Sequence, residues 1–195
     1  MEIINLLLGM ALISSMGANM QGAKKGLRTS VAKVVHKPST YLQRTPTTAS
    51  ALIFLLIAAG IFGFGSAGDA VLQKLLYLRV AGLIMFSFFA WLQVFSYKSL
   101  KENYAPEIVI LKNHNLVTGG IYKFIRHPQY MSQILSDLGA GLALMNFIVI
   151  PAVLLIELPL FWLRGKKEEE LMLKHFGDGY AEYKKRSGFF IPFIG

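Results

Sequence analysis

The side chains of this 195-residue sequence whose types and spacing could do chemistry fall into two groups. The first is Arg126-His127-Pro128-Gln129-Tyr130. The second is Glu168-Glu169-Glu170, followed by Phe176-Gly177, Tyr180, Tyr183 and Pro192. Between them lies an apolar stretch just long enough for a helical hairpin, which would return both halves to one face. Proline fits the first turn of a helix, so Arg126-His127-Pro128 reads as a helix start with free backbone N–H groups. Such an end attracts a carboxylate, and Arg126 or His127 adds to the attraction. The plainer reading is an interfacial cap with a snorkelling arginine. Arg164 and Glu168 are four apart and share a face of a continuing helix. By itself the acidic run reads equally well as a solvated turn just beyond an apolar segment.

The elements that must position these groups follow from composition. With 54% hydrophobic residues, 16% charged residues and a mean hydropathy of +0.48, the chain is greasier than a soluble core of this size requires. It reads as one membrane-embedded domain over 1–195, all-α, with spans at about 3–20, 48–65, 75–95, 130–145 and 147–163. The last two form a tight hairpin around Asn146, and 107–130 with 164–195 supply a polar cassette built on short helices. Eighteen of the twenty basic residues lie in 21–47, 96–129 and the segment after 163. Five spans put all three segments on one side, which the positive-inside rule makes cytoplasmic, with the N-terminus outside. This implies the cytoplasmic membrane of a prokaryote or the endoplasmic reticulum of a eukaryote. The first apolar run lacks a preceding basic region and reads as a retained anchor. The net charge of +9 is thus topological and does not point to nucleic acid. No cysteine is present, which excludes disulfides and thiolate metal sites.

Other motifs carry less. Gly63-Phe64-Gly65-Ser66-Ala67-Gly68 matches a dinucleotide fingerprint but ends a helix and has no acid near position 88, so it reads as a flexible turn. The four histidines lack metal-ligand spacing, and no metal site is expected. Asp137 and Glu157 fall at similar depths in the hairpin, where carboxyl groups are costly and face the bundle interior. Arg79 is a candidate partner for Asp137. The tail reads as two short helices broken at Gly177-Asp178-Gly179, then an apolar end around Pro192.

Together the two groups resemble a known family. Gly120-Ile121-Tyr122 and Arg126-His127-Pro128-Gln129-Tyr130 are similar to the G-x-Y…R-H-P-x-Y motif of isoprenylcysteine carboxyl methyltransferases. The stretch Lys112–Thr118 and the tail from Glu168 to Ile194 are similar too, so the likeness covers about 112–195. Two positions depart from the family pattern: Ser132 stands where glycine is frequent, and Gly188-Phe189-Phe190 precedes the final Ile-Pro. The resemblance implies S-adenosylmethionine as methyl donor, with S-adenosylhomocysteine as product. It places His114, Asn115, Leu116 and Val117 along the adenosine, and Tyr122, Arg126, His127, Pro128, Gln129 and Glu168 around the rest of the cofactor. Glu107 is a weaker cofactor candidate, and Arg164 would face the acceptor as the catalytic residue.

The implied acceptor is the carboxylate of a prenylated cysteine on a lipidated substrate that arrives from the bilayer. An α-carboxyl has a pKa of about 3.3–3.7, so it is an ionised nucleophile at neutral pH and needs no general base. The R-H-P-x-Y element is also shared with phospholipid N-methyltransferases, whose acceptor is an amine that must lose a proton. A non-catalytic scaffold or transporter subunit is a third reading, supported by Asp137 and Glu157.

Overall fold

The computed structural model describes residues 2–195, and within the first helix it describes side chains only outside 21–33. The basic residues Lys24, Lys25, Arg28 and Lys33, which weigh in the topology, therefore lie outside the described side chains. The helices are α1 (Ile3–Lys33), α2 (Thr45–Ile61), α3 (Asp69–Lys74), α4 (Leu76–Leu100), α5 (Pro128–Leu144), α6 (Val149–Ala152), α7 (Leu158–Phe176) and α8 (Asp178–Arg186). Among the described residues, two helical stretches, Ile3–Met20 and Leu76–Asn103, are long and apolar enough to cross a membrane; α2 is a shorter apolar helix.

The helix expected to continue from the second arm through Arg164 and Glu168 does so: α6 passes through a π-helical turn, Val153–Glu157, straight into α7, making one rod from 149 to 176. Gly177, at φ 54°, breaks the rod before α8, at the expected break between the two tail helices. A two-residue-deep ribbon was not expected: β1 (Val34–His36) pairs antiparallel with β2 (Ile110–Leu111).

Contacts between helices fix their directions. Asn5 donates to the Ile61 carbonyl, and Ser50 meets Glu157, so α2 runs against both α1 and the α6–α7 rod. Gln93 meets Gln133, and Gly82 meets Ala143, so α4 runs against α5. The segments 34–44, 101–127 and 164–195 gather at one end of the bundle, while the turns 62–68 and 145–148 gather at the other.

The core lies where these helices meet, around Leu8, Ile57, Phe86, Ala140, Val149 and Val153. Its tightest seam is the α4–α5 crossing. A Cβ on Gly82 would lie 2.5 Å from the Ala143 nitrogen, and one on Gly139 would lie 2.5 Å from the Phe86 nitrogen. Backbone touches backbone there, which only glycine permits. The outer surface carries Leu52, Leu55, Ile84, Phe88, Trp91 and Leu155, all exposed, while Ser132, Asp137, Asn146 and Glu157 are buried. Apolar outside and polar inside is the pattern of a bundle solvated by lipid. Asn146 holds the hairpin turn: its side chain accepts from the Ile148 and Val149 N–H groups and donates to the Phe64 carbonyl.

Arg79 does not partner Asp137. Its guanidinium pairs with Glu2 at 2.5 Å and donates to Asn5 and the Ala143 carbonyl, tying α1, α4 and α5 together at the end away from the cassette. Asp137 instead accepts from Gln133 at 2.7 Å and lies within hydrogen-bonding reach of Glu157.

Candidate functional site

Pro128 is the first residue of α5, so the helix begins where its ring fixes φ and its missing N–H costs nothing. This start, the loop 100–117 and the cassette half of α7 enclose a cavity at the basic end of the bundle. All ten residues expected around the cofactor line it: His114, Asn115, Leu116, Val117, Tyr122, Arg126, His127, Pro128, Gln129 and Glu168. Glu107 lines it as well and pairs with Lys37 at 2.7 Å. Arg164 lies on a second cavity with Thr47, Ser50, Gln93, Gln133 and Phe161. Tyr104, Ala105, Gln129 and Tyr130 line both cavities and form the partition between them.

The two buried arginines do different things. Arg126 spends its donors on the protein: Nε pairs with Glu169 at 2.5 Å, Nη1 reaches the Lys184 and Ser187 carbonyls, and Nη2 reaches the Gly195 carbonyl at 2.8 Å. It lines the cavity while fastening the tail. Glu169 is completed by Lys184 at 2.7 Å, with His127 at 3.4 Å. Burial alone would raise the Glu169 carboxyl, but hydrogen bonds from His127, Lys184 and Arg126 prevail and hold it at about 2.

Arg164 is equally buried but sits at the partition. Its Nε donates to the Tyr130 hydroxyl at 2.8 Å and to Glu168 at 3.3 Å, and Tyr130 in turn donates to Glu168. Nη2 donates to the Pro106 carbonyl at 2.6 Å, while Nη1 makes only long contacts of 3.5 and 3.4 Å with the Leu42 and Gln43 carbonyls. Gln43 pins the opposing loop by bonding both the N–H and the carbonyl of Ile108.

The aromatic members are shielded from ionisation. Burial raises the Tyr104, Tyr122 and Tyr180 hydroxyls, and that of Tyr183 to about 12. Burial, with His175 nearby, lowers His114. The His127 ring stacks on Tyr130 (centroids 5.6 Å apart, planes at 4°) and packs against Phe189 at 4.7 Å.

The departures in the tail have a local cause. The Arg126 N–H bonds the Gly188 carbonyl and the Gly188 N–H bonds the Phe124 carbonyl, laying the tail along the start of α5. A Cβ at Gly188 would lie 1.7 Å from the Ile191 carbonyl oxygen, so only glycine fits. Ser132 is fully buried, with no hydrogen-bond partner for its hydroxyl. Sequence reasoning missed Asn103, Tyr104, Leu171 and Met172 in the first cavity and Gln93 and Gln133 in the second. The only local signal was Tyr104 standing before Ala105-Pro106, a turn at the end of an apolar helix.

Fold and site together define a mostly helical, lipid-facing bundle with two abutting polar cavities at one end. Its segment 82–174 matches the model of the isoprenylcysteine carboxyl methyltransferase family. Protein-S-isoprenylcysteine O-methyltransferases from Homo sapiens and Xenopus laevis are 32% and 31% identical over 125 residues, 63% of this chain and 44% and 43% of theirs. The Tribolium castaneum enzyme of that name is 38% identical over 82 residues, 42% of this chain and 29% of its own. The matched stretch thus spans less than half the length of these relatives. The solved structure of a eukaryotic intramembrane Ras methyltransferase superposes with a TM-score of 0.67 at 24% identity, covering all of this chain and 69% of that one. The family resemblance carried by the cassette is therefore shown in sequence, and the fold is shared along the whole chain.

Proposed function

We propose that this protein transfers a methyl group from S-adenosylmethionine to the carboxylate of a prenylated cysteine, giving a methyl ester. The observation that carries the reading is the abutment of two cavities across Tyr104, Ala105, Gln129 and Tyr130, with Arg164 on the far one. Donor and acceptor held in adjoining cavities can meet at the edge that these residues frame without further diffusion, and fixed alignment can be worth roughly 7–11 kcal/mol of barrier.

The residues of the first cavity suit the donor. Leu116, Val117 and Met172 offer apolar surface to a base, and the N-terminus of α5 offers unpaired N–H groups to a carboxylate. Glu168 supplies a negative charge in the lining that would suit a cationic sulfonium. His114, Asn115, Tyr122, Arg126, His127, Pro128 and Gln129 complete this lining. When bound, S-adenosylmethionine supplies an electrophilic methyl on a cationic sulfur.

Arg164 receives the acceptor. Its Nη1 contacts at 3.4 and 3.5 Å are at the long limit of hydrogen bonding, so that end of the fork can exchange them for a carboxylate. Glu168 and Tyr130 hold Nε and so fix the plane of the guanidinium. Water kept out of the occupied site would favour the loss of charge as the methyl moves. No residue need accept a proton, because the acceptor arrives ionised.

The helices are read as five spans, with the three basic segments cytoplasmic and the N-terminus outside. The acceptor enters from the bilayer and the donor from the cytosol. Purified protein is offered labelled S-adenosylmethionine with either S-farnesyl-N-acetylcysteine or phosphatidylethanolamine. Base-labile label on the first is the expected result; label only on the second would transfer the assignment to amine methylation.

A further inference from the structure

One wall of the second cavity is polar in a way that neither a prenyl chain nor methyl transfer uses. Gln93 on α4 and Gln133 on α5 both line it and are hydrogen-bonded to each other. Their bonds all run one way. Asn19 donates to the Gln93 carbonyl oxygen at 3.3 Å, Gln93 donates to the Gln133 carbonyl oxygen, and Gln133 donates to Asp137 at 2.7 Å. Ser50, which also lines the cavity, donates to Glu157 at 2.5 Å, and Glu157 lies within hydrogen-bonding reach of Asp137. A side-chain amide has two N–H donors and two acceptor positions. In this chain of bonds each glutamine uses one of each, which leaves one donor and one acceptor apiece for whatever enters the cavity.

Polar groups in a dry bundle interior are costly unless matched, and an isoprenoid offers nothing to match them. The occupant of this wall must itself carry a donor and an acceptor. We infer that Gln93 and Gln133 form a subsite for a secondary amide adjoining the acceptor carboxylate, with Asp137 as the positioning residue that holds Gln133. This rests on the methylation proposed above. Spacing supports it: Tyr130, whose hydroxyl binds Arg164, and Gln133 are three apart on α5, on one face, with a rise of about 4.5 Å. An N-acylated amino acid carries its carboxylate and its amide on one carbon, so the two fall within such a turn. The polar wall thereby selects a peptide-like acceptor over a simple lipid acid.

The test compares S-farnesyl-N-acetylcysteine with S-farnesyl-3-mercaptopropionic acid, which keeps the prenyl group and carboxylate but has no amide. The protein is expected to favour the first in kcat/KM by about tenfold, since leaving buried amides unmatched costs that much. Gln93→Leu and Gln133→Leu bring the ratio close to one, mainly through KM. Asp137→Asn, which keeps an acceptor oxygen for Gln133, retains more of the preference than Asp137→Leu. Because the readout is a ratio, partial misfolding of a variant does not alter it. An unchanged preference in Gln93→Leu, or none in the parent protein, overturns the subsite while leaving the methylation intact. Methylation of neither compound overturns both.

Discussion

Arg126 and Arg164 are both buried, both paired with a glutamate of the same acidic run, and yet they work in opposite ways. Arg126 directs four of its five N–H donors to Glu169 and the tail carbonyls, which leaves a single Nη2 N–H for a ligand in the first cavity. Arg164 keeps a loosely held end beside a cavity. Both line a cavity, but the tail closes over Arg126 while Arg164 stands at the edge of the second cavity. A buried arginine in this cassette is therefore not by itself a ligand site. What distinguishes one is an incompletely satisfied fork next to empty volume.

This contrast can be broken or sharpened in several ways. The largest effect belongs to Arg126→Ala, which strands Glu169 without its main cation. Loss of about 3–5 kcal/mol is expected, read as release of the 187–195 segment to limited proteolysis. Arg164→Lys keeps the charge but loses the planar fork. It should lower kcat/KM for the prenylcysteine acceptor about 10- to 100-fold while donor affinity, measured by calorimetry, changes less than threefold. Equal losses in donor binding would erase the division of labour between the two arginines.

A smaller effect comes from pH. Glu169 is held at about 2, below its ordinary value of about 4.3. Its contribution to stability is complete above the ordinary value and is lost as pH falls towards 2. Trp162 packs at 5.8 Å on Phe189 of the tail, so its emission, in a Trp91→Phe background, should shift in that window. A Glu169→Gln variant should show a weaker transition. The least effect is expected of Lys185→Ala, which removes an exposed pair with Glu182 and should leave the melting temperature unchanged.

The cassette was legible because its signals are local. Proline at a helix start, an i,i+4 Arg164–Glu168 pair and a glycine break at 177 each act within a few residues. The cavity lining around His114–Val117 came from the resemblance and not from spacing. The partners of Arg79 and Arg126 were not legible. Glu2 lies 77 positions before Arg79, and the tail carbonyls that Arg126 holds are backbone atoms, which carry no residue signature. The ribbon of Val34–His36 with Ile110–Leu111 was missed because three residues and two residues show no period. Gln93 and Gln133 were passed over because single amides within apolar runs look like tolerated exceptions. Only the antiparallel seam at Gly82 and Gly139 reveals that they meet.

The π-helical turn at Val153–Glu157 bears on how chain lengths compare between relatives. Such a turn absorbs one residue more than an α-helical one while the segments on either side keep their phase. An insertion or deletion elsewhere between 149 and 164 would swing Arg164 about 100° around the helix axis and away from Tyr130. Losing the exposed Leu155 would instead straighten the turn and leave both ends in register. A one-residue gap in an alignment of this helix belongs at 153–157, and gap placement there decides whether Arg164 is matched to its true counterpart.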